Sequence, residues 1–200
     1  MFDEREYRDT DFSEAEILED VLEGMTFIRC RFDEANFARI RINRCQFESC
    51  TFESARFQEA IISGSAFLRC SFEFADCRDA VFSDCKMTGS CFANAHLKGT
   101  KLGPGDWSYT ILTGQNLSRR QFSDLSFRGA DLSSVNFQKS AFLRCDLREA
   151  NINRTSFQEA DLRSALLERL NFQTANWKNA RIGLEQAVAM AAAFGVRYEP

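Results

Sequence analysis

Apolar residues recur at every fifth position along almost the whole of this chain. Phe27, Phe32, Phe37, Ile42, Phe47, Phe52, Phe57, Ile62, Phe67 and Phe72 follow one another without a slip. Extended both ways, the same phase runs from Phe2 to Ile182, with Cys77 its smallest occupant and Trp107 and Trp177 its largest. A second series lies two residues earlier in each unit. Of its 36 sites between residues 5 and 180, 28 hold Ala, Cys, Ser, Thr, Gly or Val. The remaining three positions of each five are mostly polar or charged. A helix places apolar residues at a period of 3.6 and a half-buried strand at 2.0, so a spacing of five serves neither. Five residues therefore make one structural unit. A fixed internal period predicts a solenoid, in which each unit buries its face only by stacking on its neighbours.

Stretches such as Ala35-Asn36-Phe37-Ala38-Arg39, Ala130-Asp131-Leu132-Ser133-Ser134, Cys145-Asp146-Leu147-Arg148-Glu149 and Ala160-Asp161-Leu162-Arg163-Ser164 carry an A-(D/N)-(L/F)-X-X unit. That unit resembles the repeat of the pentapeptide-repeat family, and the resemblance covers roughly residues 2–182. It implies an all-β solenoid, a right-handed quadrilateral parallel β-helix with four units per coil. The central and small residues then both point inward, the latter small because four faces converge on a narrow interior. The rod has about nine coils and, at the spacing of paired strands, a length of roughly 40 Å.

Residues 1–182 are read as the repeat rod, irregular near 1–25 and 103–126. Before residue 24 there are ten acids and two bases, and Arg5, Asp20 and Met25 occupy small sites. That composition suits either an acidic interaction surface or protection of an open strand edge. In the middle, Gly103-Pro104-Gly105-Asp106-Trp107 is a turn signal, and Pro104 has no N–H for a ladder bond. Gln115, Arg120 and Leu125 then fill three consecutive small sites. A bulge, an extruded loop of whole units or a widened coil would each accommodate them, and residues 103–107 are a candidate functional loop.

Residues 183–200 leave the period. Gly183 to Val196 reads as a short, Ala-rich helix and its C-terminal stop, with Glu185 and Gln186 in the first turn and Gly195 after the last. The helix is apolar nearly all round. One face caps the rod. The other predicts a two-fold dimer through Leu184, Ala187, Val188, Met190, Ala191, Phe194 and Val196. This terminus resembles that of the Qnr/MfpA-type quinolone-resistance group of pentapeptide-repeat proteins. That resemblance implies a DNA-mimicking rod dimer that binds DNA gyrase or topoisomerase IV and protects it against quinolones or other inhibitors. It also implies that a loop thrown out of the rod contributes to that action.

Charge adds a location. Residues 1–100 carry 19 acids and 12 bases, whereas residues 101–200 carry 10 acids and 13 bases. Steps of twenty residues align Asp33, Glu53 and Glu73 on one wall, with Glu14 and Glu34 beside them. That strip is the candidate partner-binding surface. The alternative is a non-catalytic interaction scaffold with an unrelated partner. No basic stripe points to direct nucleic-acid binding. Of the eight Cys, six sit at small sites and Cys77 on the central series, where cysteine acts as a small hydrophobe; only Cys91 falls outside both. The single His, His96, is outward, and no phosphate loop or nucleophile–base pair occurs, so neither catalysis nor a cofactor nor a metal is expected. The acidic start lacks a secretory signal and no apolar run reaches membrane-span length, which predicts a cytoplasmic protein without membrane contact.

Overall fold

Each five-residue unit repeats one local geometry. Its first residue bridges, in parallel, the residue twenty positions on, as Arg31 does with Thr51 and Asn36 with Arg56. The second points inward, and Phe32, Phe37, Phe52 and Phe57 are all fully buried. The third and fourth turn the corner. The fourth takes a left-handed backbone, with φ of 61° in Glu34 and 62° in Arg39. A non-glycine residue loses roughly 1–2 kcal/mol there, offset by a hydrogen bond to the next coil, such as Glu34 N–H to Glu53 O at 2.8 Å. The fifth residue points inward again, and Ala35 and Ala55 are fully buried.

The structure, a computed structural model, describes residues 2–17 and 19–196. Four such units close one coil, and the constant twenty-residue offset stacks the coils into a parallel solenoid. The longest sheet has seven strands, from Glu6–Arg8 through Thr26–Ile28, Gln46–Glu48, Ala66–Leu68, Cys85–Lys86 and Gly105–Asp106 to Leu125–Ser126. A five-stranded sheet runs from Val21–Glu23 to Lys101–Leu102, and a two-stranded one joins Gln121–Ser123 to Ala141–Leu143. Full strands thus mark about seven coils rather than the nine expected. Single bridges such as Asp146 to Leu166 and Asp161 to Arg181 carry the stack beyond them.

The interior is a ladder of aromatic rings. Phe32, Phe52 and Phe72 stack nearly parallel with centroids 5.2 and 4.9 Å apart, and Phe37 lies 4.7 Å from Phe57. A buried side chain of this size contributes about 1.5–3 kcal/mol, so the ladder dominates the favourable terms. Ring contacts run unbroken from Phe2 to Trp107 and resume from Phe122 to Trp177. Between these blocks the central positions are Leu112 and Leu117, with Leu97 and Leu102 just beneath. At the first coil, Phe2, Tyr7, Phe12 and Ile17 are only partly buried, since among the described residues no coil lies beneath them.

Small sites do more than save space. Ser90 Oγ donates to Phe67 O at 2.8 Å and accepts from Cys70 N–H at 3.0 Å. Thr100, Ser140 and Thr155 reach the equivalent carbonyls of Cys77, Leu117 and Leu132 at 2.6, 2.9 and 2.7 Å. The Cys50 and Cys70 thiols point the same way, at Phe27 O and Phe47 O. These groups satisfy carbonyls at buried corners. All eight cysteines are free, and all but the half-buried Cys91 are buried.

Candidate interaction surfaces

The five acidic residues singled out in the sequence do converge. Glu14 N–H bonds Asp33 O at 2.8 Å, Glu34 N–H bonds Glu53 O at 2.8 Å, and Ser54 N–H bonds Glu73 O at 3.0 Å. Two adjacent columns result, one through Asp33, Glu53 and Glu73, the other through Glu14, Glu34 and Ser54. Asp33 is partly occupied inside the wall, since its Oδ1 accepts from Glu53 N–H at 3.0 Å and its Oδ2 faces Arg31 at 3.3 Å. Beside the strip Arg56 pairs with Glu16 at 2.7 Å, and an Asn36 hydrogen bond holds the Glu16 carboxyl below its ordinary range. Glu14, Glu34 and Glu53 remain exposed carboxylates without a basic partner among the described residues. One feature went unread in the sequence. Phe74 follows Glu14, Glu34 and Ser54 in their column and is 54% exposed, one of two outward phenylalanines, with Phe194 of the terminal helix, among the twenty. Its position outside the inward series was the available signal.

The expectation of a loop at residues 103–107 is corrected. Gly105 pairs with both Cys85 and Leu125, Asp106 with Lys86 and Ser126, and Trp107 N–H bonds Ser126 O at 2.8 Å. The segment stays in register because its two glycines let backbones approach. A Cβ on Gly105 would lie 2.3 Å from Cys85 O, and one on Gly103 would lie 2.8 Å from Phe82 O. Of the three oversized small-site residues that follow, Leu125 gains room from this and is buried directly above Gly105. Trp107 is fully buried against Phe82 and Phe92 at 5.6 and 5.2 Å, although its Nε1 has no hydrogen-bond partner. Burial opposes ionisation of Asp106. Hydrogen bonds from Ser108 and Thr88 and the nearby Lys86 outweigh it and lower the pKa below the ordinary value.

Helix α1 (Leu184–Ala193) closes the far end. Gln186 is the fastener. Its amide donates to Leu162 O and Ala165 O, carbonyls of the last full coil, and its Oε1 accepts from Gly183 N–H. Met190 packs against the core, and Gln173 Nε2 donates to Ala193 O at 2.8 Å. The stop at Gly195 forms as its position predicts: Gly195, at φ 78°, bonds Ala192 O, and Val196 N–H bonds Ala191 O, both at 2.9 Å. Of the residues assigned to a dimer contact, Val188, Met190 and Ala191 are half-buried, Met190 against the core. Leu184 at 74%, Phe194 at 55% and Val196 at 58% exposure, with exposed Ala187, form the outward face.

Chemistry-bearing groups are scattered. Among the described residues no cluster of His, Cys, Asp and Glu is arranged to hold a metal ion, and His96 is exposed. Burial pushes the Cys85 and Cys145 thiols up to about 11. No described helix is long and apolar enough to cross a membrane.

The model for pentapeptide repeats matches residues 30–67, 65–103 and 130–169. The gap in those matches spans the Gln115–Arg120–Leu125 stretch. Full-length QnrB1, a plasmid-mediated fluoroquinolone resistance protein, superposes with a TM-score of 0.78 over 96% of this chain and 100% of its own, at 16% identity. Two trypsin-treated forms of QnrB1 superpose with TM-scores of 0.72 and 0.65 at 16% and 19% identity, each covering 97% of its own chain. These likenesses are of fold. No curated protein matches in sequence.

Proposed function

The chain belongs to the pentapeptide-repeat family, and on that footing we propose that it is a DNA-mimicking protein that binds a type II topoisomerase, DNA gyrase or topoisomerase IV, and modulates it or protects it against quinolones. The observation that carries this reading is the stacked acidic strip of Glu14, Glu34, Glu53 and Glu73, on a rod whose fold follows that of a fluoroquinolone resistance protein along its whole length. Carboxylates repeat up the wall at the strand spacing of about 4.7–4.9 Å. That periodic negative face suits a surface built to hold a phosphate backbone. A two-fold pairing of rods through Leu184, Phe194 and Val196 doubles the length of the mimic, and the outward apolar face of α1 supports it.

The test is supercoiling by purified gyrase and topoisomerase IV with ciprofloxacin, with and without this protein. Rescue or direct inhibition is expected, weakened several-fold by Glu34→Lys with Glu53→Lys. Unchanged supercoiling together with absent binding overturns the reading. A scaffold with an unrelated partner is the second reading. It is favoured by the cross-coil ion pairs that neutralise other walls, such as Arg29–Asp9 and Arg144–Asp124, both at 2.6 Å.

A further inference from the structure

The hydrogen-bonded tube is split halfway along its length. In the coil before the split, Cys77 N–H bonds His96 O, Asp79 N–H bonds Lys98 O, His96 N–H bonds Ala75 O and Lys101 N–H bonds Ala80 O, all between 2.8 and 3.0 Å. In the coil after it, Leu117, Arg119, Asn136 and Ala141 make the same four bonds, to Asn136 O, Gln138 O, Gln115 O and Arg120 O. Between them the set is missing: Leu97 does not bond Asn116, Gly99 does not bond Ser118, and Asn116 and Gln121 do not reach Ala95 and Thr100. The bridges agree. His96 is bridged to Asp76 but not to Asn116, which is bridged to Asn136, and the five-stranded sheet stops at Lys101–Leu102. The other two walls hold, through Cys91 to Ile111 and Gly105 to Leu125. Two grooves mark the opening, about 370 Å³ between residues 99–103 and 120–123 and about 680 Å³ beside Leu97, Lys98, Gln115 and Asn116.

The edges of this split are finished as ends are. Gln115 Nε2 donates to Phe92 O and Ala95 O at 3.0 and 2.9 Å, the same two carbonyl positions that Gln186 covers at the end of the rod. Arg120 repeats the act at the next corner, donating to Thr100 O at 2.6 Å and Leu97 O at 2.5 Å. Both side chains stand in columns where most other coils have Ala, Ser or Thr, and both are longer than Val135 and Ile40, the bulkiest apolar residues of those columns. Pro104, with no N–H to give, and the break in the aromatic ladder fall at the same level. We propose that Gln115 and Arg120 are wedges that keep two adjacent walls open, so that the solenoid is two rigid rods joined along the two intact walls by a hinge. The hinge lies where net charge changes sign, between the acidic first hundred residues and the basic second hundred. It lets the two blocks change their mutual angle when the rod is laid on a partner.

Spin labels carried by noncanonical amino acids test this. One pair replaces Asn36 and Ser156 on an opened wall, the other Arg31 and Asn151 on an intact wall. Each pair spans about six coils, roughly 29 Å. Dipolar spectroscopy of the full chain is expected to give the opened-wall pair a longer mean distance and about twice the spread of the other pair. Gln115→Ala combined with Arg120→Ser, which restores the usual small sites, should narrow that spread to the intact-wall value and slow amide exchange at Asn116 and Gln121. Equal, narrow distributions for both pairs in the parent chain overturn the hinge, and this comparison decides even if the double variant does not fold. A spread unchanged in a folded double variant overturns the role of the wedges.

Discussion

At the scale of single residues, the inward small sites separate two roles that look alike in the sequence. Ser90→Ala keeps the size but strips Phe67 O of its donor and Cys70 N–H of its acceptor. About 1–3 kcal/mol of stability should be lost, read as a lower urea midpoint at unchanged slope. Gly105→Ala should do more damage than Gly114→Ala. The first drives a methyl against Cys85 O, whereas the second meets nothing within 4 Å and bears only the strain of φ +73°. Thermal melts of the two variants give the order. Asp76 offers a pH readout. Hydrogen bonds from Arg78 hold its carboxyl below the ordinary value, burial opposes this, and Gln58 assists. Because the folded pKa is the lower one, its stabilisation is complete above the unfolded value of about 3.9 and is lost as pH falls through the folded value. Asp76→Asn should therefore flatten the fall in stability below about pH 4 in acid titrations followed by circular dichroism. The inward residues themselves were legible from spacing alone. The bonds of the small ones were not, since a five-residue period constrains volume and is blind to whether Ala or Ser supplies it.

At the scale of elements, α1 is held by Gln186 and Met190 on one side and bare on the other. Phe194→Asp should leave the coil spectrum intact and, if two chains pair through this face, return a light-scattering mass near 22.8 kDa where the parent gives about twice that. The helix and its glycine stop were readable from the Ala-rich run and Gly195. Val196 stays exposed beyond the stop, where its N–H bonds Ala191 O. The part played by Gln186 was hidden, since the carbonyls it covers lie more than twenty residues away in the chain. The same blindness concealed the true nature of the 103–126 irregularity. Gly-Pro-Gly suggests an excursion in any one-dimensional reading. Only the coil beneath shows that Gly105 makes room for a close backbone and that Gln115 and Arg120 cover carbonyls. Leucine in place of phenylalanine at positions 97, 102, 112 and 117 was the visible hint.

At the scale of the whole molecule, the acidic columns were legible because a step of twenty is a step of one coil. What a step of twenty does not reveal is compensation, since Arg31 and Arg56 reach across columns to Asp33 and Glu16. The fixed offset has another result. Every five-residue unit is a quarter-turn, so the chain is a counter of angle as well as of length. Excision of residues 76–80 should leave an uninterrupted inward series and a folded rod, as far-UV circular dichroism and melting would report. Everything after the cut, the C-terminal helix included, would nevertheless be rotated by about ninety degrees against the acidic strip. Excision of a full twenty residues restores the facing and shortens the rod by one strand spacing. Insertions and deletions in such a chain thus divide into those that change how far a surface extends and those that change which way it looks.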